Sequence, residues 1–184
     1  MKKQFLIILL VLSANLTFGQ EFLGIKVDGK MNEVIEKFKL KGLKVTDGTT
    51  PNVKIMEGFV GDRNLEVYIK CTPTTKTVWG FTVYLPKQTV WSSLKREYEE
   101  YLDLLSKKYG EPDKKYNFFS SPYEEGDGDE MTAVAVDKCR YASFWTETLG
   151  IQISKYKQVV ISYENKTNAE LNRKEKDEIK EKIF

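Results

Sequence analysis

Histidine is absent from all 184 residues of the chain. That excludes Ser-His-Asp and Cys-His nucleophile activation, histidine-ligated zinc and any imidazole general base. An enzyme made from these residues would have to run on carboxylates, lysine, tyrosine or serine. Cysteine is scarce: Cys71 and Cys139 are the 2 in the sequence. In an oxidising compartment two such residues can bond to each other, and otherwise each behaves as a small buried hydrophobe. Both readings stay open for Cys71 and Cys139, and burial is expected under either. There is also no Gly-rich phosphate loop, no CxxC pair and no nucleophile elbow. Nothing in the residues asks for a cofactor.

Long apolar runs are missing after residue 20. The one run, Phe5 to Leu12, follows Lys2 and Lys3 and relaxes into Thr17-Phe18-Gly19-Gln20. Positive, then apolar, then small is the layout of a secretory signal peptide, and the run is too short for a spanning helix of about 20 residues. Residues 1–20 are therefore expected to be removed, with cleavage after Gly19 or Gln20. A retained membrane anchor is the competing reading. Residues 21–184 are expected to form a single secreted or periplasmic domain with no transmembrane segment. Of the 29 basic residues, Lys2 and Lys3 lie in the removed part, which leaves 27 against 27 acidic residues. A balanced surface gives no long-range field to gather nucleic acid.

Periodicity then assigns elements. Met31, Val34, Ile35 and Phe38 mark a helix over 30–41, closed by Gly42. Residues 46–52 are turn chemistry. Strands are expected at 53–60, 64–71 and 77–85. Trp91, Leu94, Tyr98, Tyr101, Leu102, Leu105 and Tyr109 stripe a second helix over 90–109, with Thr89 as cap and Gly110 and Pro112 as stop signals. Residues 113–119 read as a strand and 120–130 as a polar loop. Residues 131–146, 150–156 and 158–164 all read as strands. A charged helix over 167–183 closes the chain, capped by Thr167 or Asn168. The order argues an α+β fold, an antiparallel sheet with helices on one face. Segments 30–86 and 90–164 can be read as two tandem units of a helix plus three or four strands.

The phrases Met31–Gly42 leading to Glu57-Gly58-Phe59, and Trp91–Tyr109 ending in Lys108-Tyr109-Gly110-Glu111-Pro112, resemble the β-lactamase inhibitor protein architecture of tandem helix-plus-sheet units. They are also similar to small outer-membrane assembly lipoproteins with one such unit. The KYG-x-P helix end and the Phe-Gly-Gln signal end resemble secreted proteins of gut-type Bacteroidetes. The resemblance lies in element order and punctuation, so it implies the α+β fold and transfers no functional residue.

Four features could carry function. By strand alternation Tyr68 and Tyr84 fall on a wet sheet face among charges, the composition of a protein-recognition surface; simple cross-strand pairing is the plainer alternative. Trp79 shares the core side of its strand with Phe81, Val83 and Leu85, whereas Trp145 is a candidate for binding. The acidic loop 124–130 offers Asp127, Asp129 and Glu130 as oxygen ligands for Ca²⁺, without EF-hand spacing. Asn165-Lys166-Thr167 matches a glycosylation acceptor. The expectation is a non-enzymatic module that binds an unidentified protein or envelope partner through its open sheet face. The alternative is a small carboxylate-based hydrolase or a carbohydrate-binding protein.

Overall fold

The computed structural model describes residues 20–46, 48 and 50–182. The expected signal segment lies outside the described residues, apart from Gln20. A small hairpin pairs β1 (Glu21–Phe22) with β2 (Ile25–Lys26). Next comes α1 (Met31–Lys39), which buries Met31, Val34, Ile35 and Phe38 on one face. Gly42 leaves that helix with φ 92°, a conformation that costs glycine little. β3 (Lys44–Val45), β4 (Val53–Val60), β5 (Arg63–Cys71) and β6 (Val78–Tyr84) then form an antiparallel meander. β3 has 2 residues, too few to show a period in the sequence.

The second half repeats the order. α2 (Trp91–Tyr109) buries Leu94, Tyr98, Leu102 and Leu105 and stops at Gly110, φ 85°. Thr89 does not cap it: Val90 holds the cap position in extended conformation with no side-chain bond. β7 (Lys114–Phe119), β8 (Cys139–Trp145), β9 (Leu149–Ser154) and β10 (Gln158–Glu164) make a second meander. The expected long strand over 131–146 is corrected: α3 (Glu130–Ala135) fills its first part. Its backbone closes helical bonds, the Ala133 amide donating to the Asp129 carbonyl at 2.9 Å and the Val136 amide to the Thr132 carbonyl at 3.0 Å, and it buries Ala133 and Val134. Asp137, at φ 61°, then turns the chain into β8.

The two meanders join through β6 and β10. The resulting sheet has 8 strands in the order β3-β4-β5-β6-β10-β9-β8-β7, with every neighbouring pair antiparallel. With its helices this is an α+β fold. α1 and α2 pack on the same core. Phe38 meets Phe81 edge-on at 5.2 Å, and Tyr98 meets Tyr141 at 5.8 Å. The Tyr98 and Ser143 hydroxyls bond at 2.8 Å, which satisfies both buried groups. Burying rings of this size contributes about 2–3 kcal/mol each.

α4 (Lys166–Glu181) packs against β6. Asn165, rather than Thr167 or Asn168, is its cap: the side-chain oxygen accepts from the Asn168 amide at 3.2 Å. The Asn165 side-chain nitrogen donates to the Val27 carbonyl at 3.0 Å, so the acceptor atom of the glycosylation match is engaged in the fold.

The sheet order also corrects the disulfide. Cys71 ends β5 and Cys139 opens β8, and three strands lie between them. Four strand spacings are about 19 Å, far beyond the roughly 7 Å that a disulfide can span. Both thiols are free and buried.

Candidate functional site

Residues directly opposite across an antiparallel ladder share a face. Following the register from β4 to β7 therefore reads out the face turned away from α1 and α2. One row runs Ile55, Tyr68, Thr82, Ser162, Gly150, Phe144, Lys114. The next runs Glu57, Glu66, Tyr84, Val160, Gln152, Ala142, Tyr116. A third holds Phe59 and Asn64 at one side and Arg140 and Phe118 at the other. Small residues (Gly150, Ser162, Thr82, Ala142) floor the middle, and aromatic rings stand on both wings.

On the β4–β6 wing the Tyr68 and Tyr84 rings lie 4.8 Å apart, tilted by 60°. They are diagonal neighbours, because Tyr68 sits opposite Thr82 and Glu66 opposite Tyr84. Both are half-buried. Burial, and then the Glu66 charge beside it, raises the Tyr68 hydroxyl. Burial and the neighbouring Tyr68 raise Tyr84. Both hydroxyls therefore stay protonated, and the Tyr68 hydroxyl is hydrogen-bonded to Glu66. The Thr82 hydroxyl, in the row of Tyr68, has no hydrogen-bond partner among the described residues. Phe59 is 68% exposed and Tyr156, at the β9–β10 turn, is 62% exposed.

On the β7–β8 wing Phe144 lies over Gly150, where a Cβ would come within 2.8 Å of the ring. Glycine is what lets the ring lie flat there. Tyr116 meets Phe144 edge-on at 6.3 Å, and the Arg140 guanidinium stacks 5.8 Å from the Tyr116 centroid. Phe118 is 49% exposed. Strand reasoning missed this wing. Lys114, Tyr116 and Phe118 alternate clearly, but only the pairing of β7 at the sheet edge shows which way they face.

The structure separates the other candidates. Trp145 is a core residue, 5% exposed, and its indole N–H donates to the Gly110 carbonyl at 2.6 Å. Alternation with buried Tyr141 and Ser143 puts it under α2. Trp79 is half-buried instead of lying with Phe81. A bulge opposite Lys70 and Cys71 shifts the register there, and the Lys70 ammonium stacks 5.3 Å from the Trp79 ring.

The acidic loop turns inward on itself. Asp127 accepts from the Glu124 and Asp129 amides at 2.8 and 2.7 Å, and Glu130 accepts from the Gly126 amide at 2.8 Å. Among the described residues no three acidic or cysteine side chains converge as a ligand set, so Asp127, Asp129 and Glu130 form no metal cage here. Glu97 and Glu100 on α2 are one pair of neighbouring carboxylates, and Arg63 engages both, at 2.5 and 3.0 Å. Comparison with protein-family models, with curated proteins and with solved structures finds no match for the chain.

Proposed function

We propose that this is an exported, non-enzymatic recognition module that binds a protein partner through the open face of its sheet. The observation that carries the reading is the Tyr68–Tyr84 pair, half-buried at 4.8 Å and bordered by Glu57 and Glu66. Rigid amphipathic rings with a charged border are the composition of interaction hot spots. The Lys2-Lys3 and Phe5–Leu12 leader supports export. Arg63 neutralises Glu97 and Glu100, which disfavours that one pair as the acid and base of a hydrolase. The test places a photo-crosslinking side chain at Tyr84 in cells, with Lys107 on the solvated face of α2 as control. Capture of a discrete protein at position 84 and none at 107 supports the reading. Equal labelling at both positions overturns it.

A further inference from the structure

We infer that the open face pairs with the same face of a second copy of this chain, the two sheets stacked about a two-fold axis parallel to β10. The inference deepens the recognition reading and rests on it, naming the partner. β10 is the middle strand of the run from β4 to β7. An axis along it reverses strand order and keeps every row at its height. β4 then faces the second copy's β7, and β5 faces its β8.

The register makes this arrangement self-complementary. Phe59 of β4 and Phe118 of β7 stand in the same row and stack ring on ring. Tyr68 of β5 and Phe144 of β8 share another row and do the same. Charge follows. In these rows the β4–β5 wing carries Glu57 and Glu66, and the β7–β8 wing carries Lys114 and Arg140. Each acid falls one row from a base of the other copy, Glu66 beside Arg140 and Glu57 beside Lys114. An axis across the strands fails, because it sets the basic wing over the basic wing.

Size and spacing agree. Strands about 4.8 Å apart and rows about 6.8 Å apart give the patch roughly 700 Å² per copy. The total, about 1,400 Å², is in the range of specific interfaces, and face-to-face sheets sit about 10 Å apart, room for one interleaved layer of half-buried rings. A two-fold isologous pair also closes, so the face is used up and no fibre grows.

Sedimentation equilibrium of the purified protein, from micromolar to millimolar, tests this. A dimer is expected. Arg140→Glu and Glu66→Arg should each weaken it by about tenfold or more, through like-charge juxtaposition. The double variant, with acid and base exchanged, should recover it. Phe118→Ser serves as a second probe at an exposed ring whose loss leaves the core intact. A dimer indifferent to all of these uses another surface and overturns the inference. A monomer at millimolar concentration whose Tyr84 crosslinker captures a different protein overturns self-pairing and leaves the recognition reading standing. A monomer that captures nothing overturns both.

Discussion

The carboxylate of Glu175 and the hydroxyl of Thr75 meet at 2.6 Å although 100 residues separate them in the chain. The same carboxylate accepts from the Thr74 amide at 2.6 Å and from the Thr75 amide at 3.2 Å. Glu175 is 4% exposed, and these bonds tie α4 to the β5–β6 turn. Burial pushes the carboxyl up, but the Thr75 hydroxyl and the two amides outweigh it and hold it below the usual glutamate range. A folded-state pKa below the unfolded one adds stability that is present above the ordinary carboxylate pKa and lost as pH falls through the depressed value. Acid below about pH 4 should therefore loosen α4 first. Hydrogen exchange read at α4 amides should rise there before it rises in β5 or β6. Glu175→Gln should reproduce the loosening at neutral pH, at a cost of about 1–3 kcal/mol in urea denaturation.

Arg63 and Glu97 carry the opposite sign. Burial raises the Glu97 carboxyl, and the Gln88 and Arg63 hydrogen bonds only partly offset it. Its contribution is fully present below the ordinary carboxylate pKa and declines as pH rises through the raised one. Arg63→Ala leaves a buried carboxylate without its cation and should cost about 2–3 kcal/mol at pH 7. Glu97→Gln, which removes the charge and keeps the shape, should cost no more than about 1 kcal/mol. The double variant should be more stable than Arg63→Ala alone. Urea denaturation of the three variants decides the matter, and a double variant as weak as Arg63→Ala would show that packing, not charge, anchors α2 here.

Both thiols are free, so stability should be the same with and without reductant. A thiol reagent should count two thiols per chain in denaturant without prior reduction and almost none on the native protein. Burial, with the Glu125 charge nearby, pushes the Cys139 thiol up to about 12, so it stays protonated and unreactive at neutral pH. Fast native labelling of either cysteine would contradict the burial.

What could be read beforehand was whatever the local period encodes. The faces of α1 and α2, the alternation of β5 and the Gly42 and Gly110 stops follow from neighbours within one turn or one hairpin. Most of the failures are set at long range. Trp79 breaks alternation because of a bulge that exists only once β5 and β6 pair. The exception is local: Met131–Val136 is β-branched and apolar enough for a strand, yet Glu130–Ala135 is a short helix that the left-handed Asp137 follows. The disulfide turns on strand order, and nothing near Cys71 or Cys139 records that β6, β10 and β9 will come between them. The recognition face was half legible for the same reason. Tyr68 and Tyr84 alternate within well-marked strands, while Tyr116 and Phe118 gain their side only from the pairing of β7 with β8.

The placement of the aromatics gives a sharp contrast in stability. Tyr68 and Tyr84 are half-buried and their rings meet at 4.8 Å, a cross-strand contact of the kind that contributes about 0.5–1.5 kcal/mol. Substituting both by Ala should therefore lower stability by about 1–2 kcal/mol and leave near-UV signals of the core unchanged. Trp145, by contrast, fills the core under α2 and satisfies the Gly110 carbonyl at the helix end. Trp145→Ala should cost about 3–5 kcal/mol, chiefly from the cavity left in the core. Trp145→Phe should recover the packing part alone. The two sites thus separate under one measurement, urea denaturation followed by tryptophan fluorescence and circular dichroism. If the tyrosine double variant fell as far as Trp145→Ala, the open face would belong to the core, and a surface role for Tyr68 and Tyr84 would lose its physical basis.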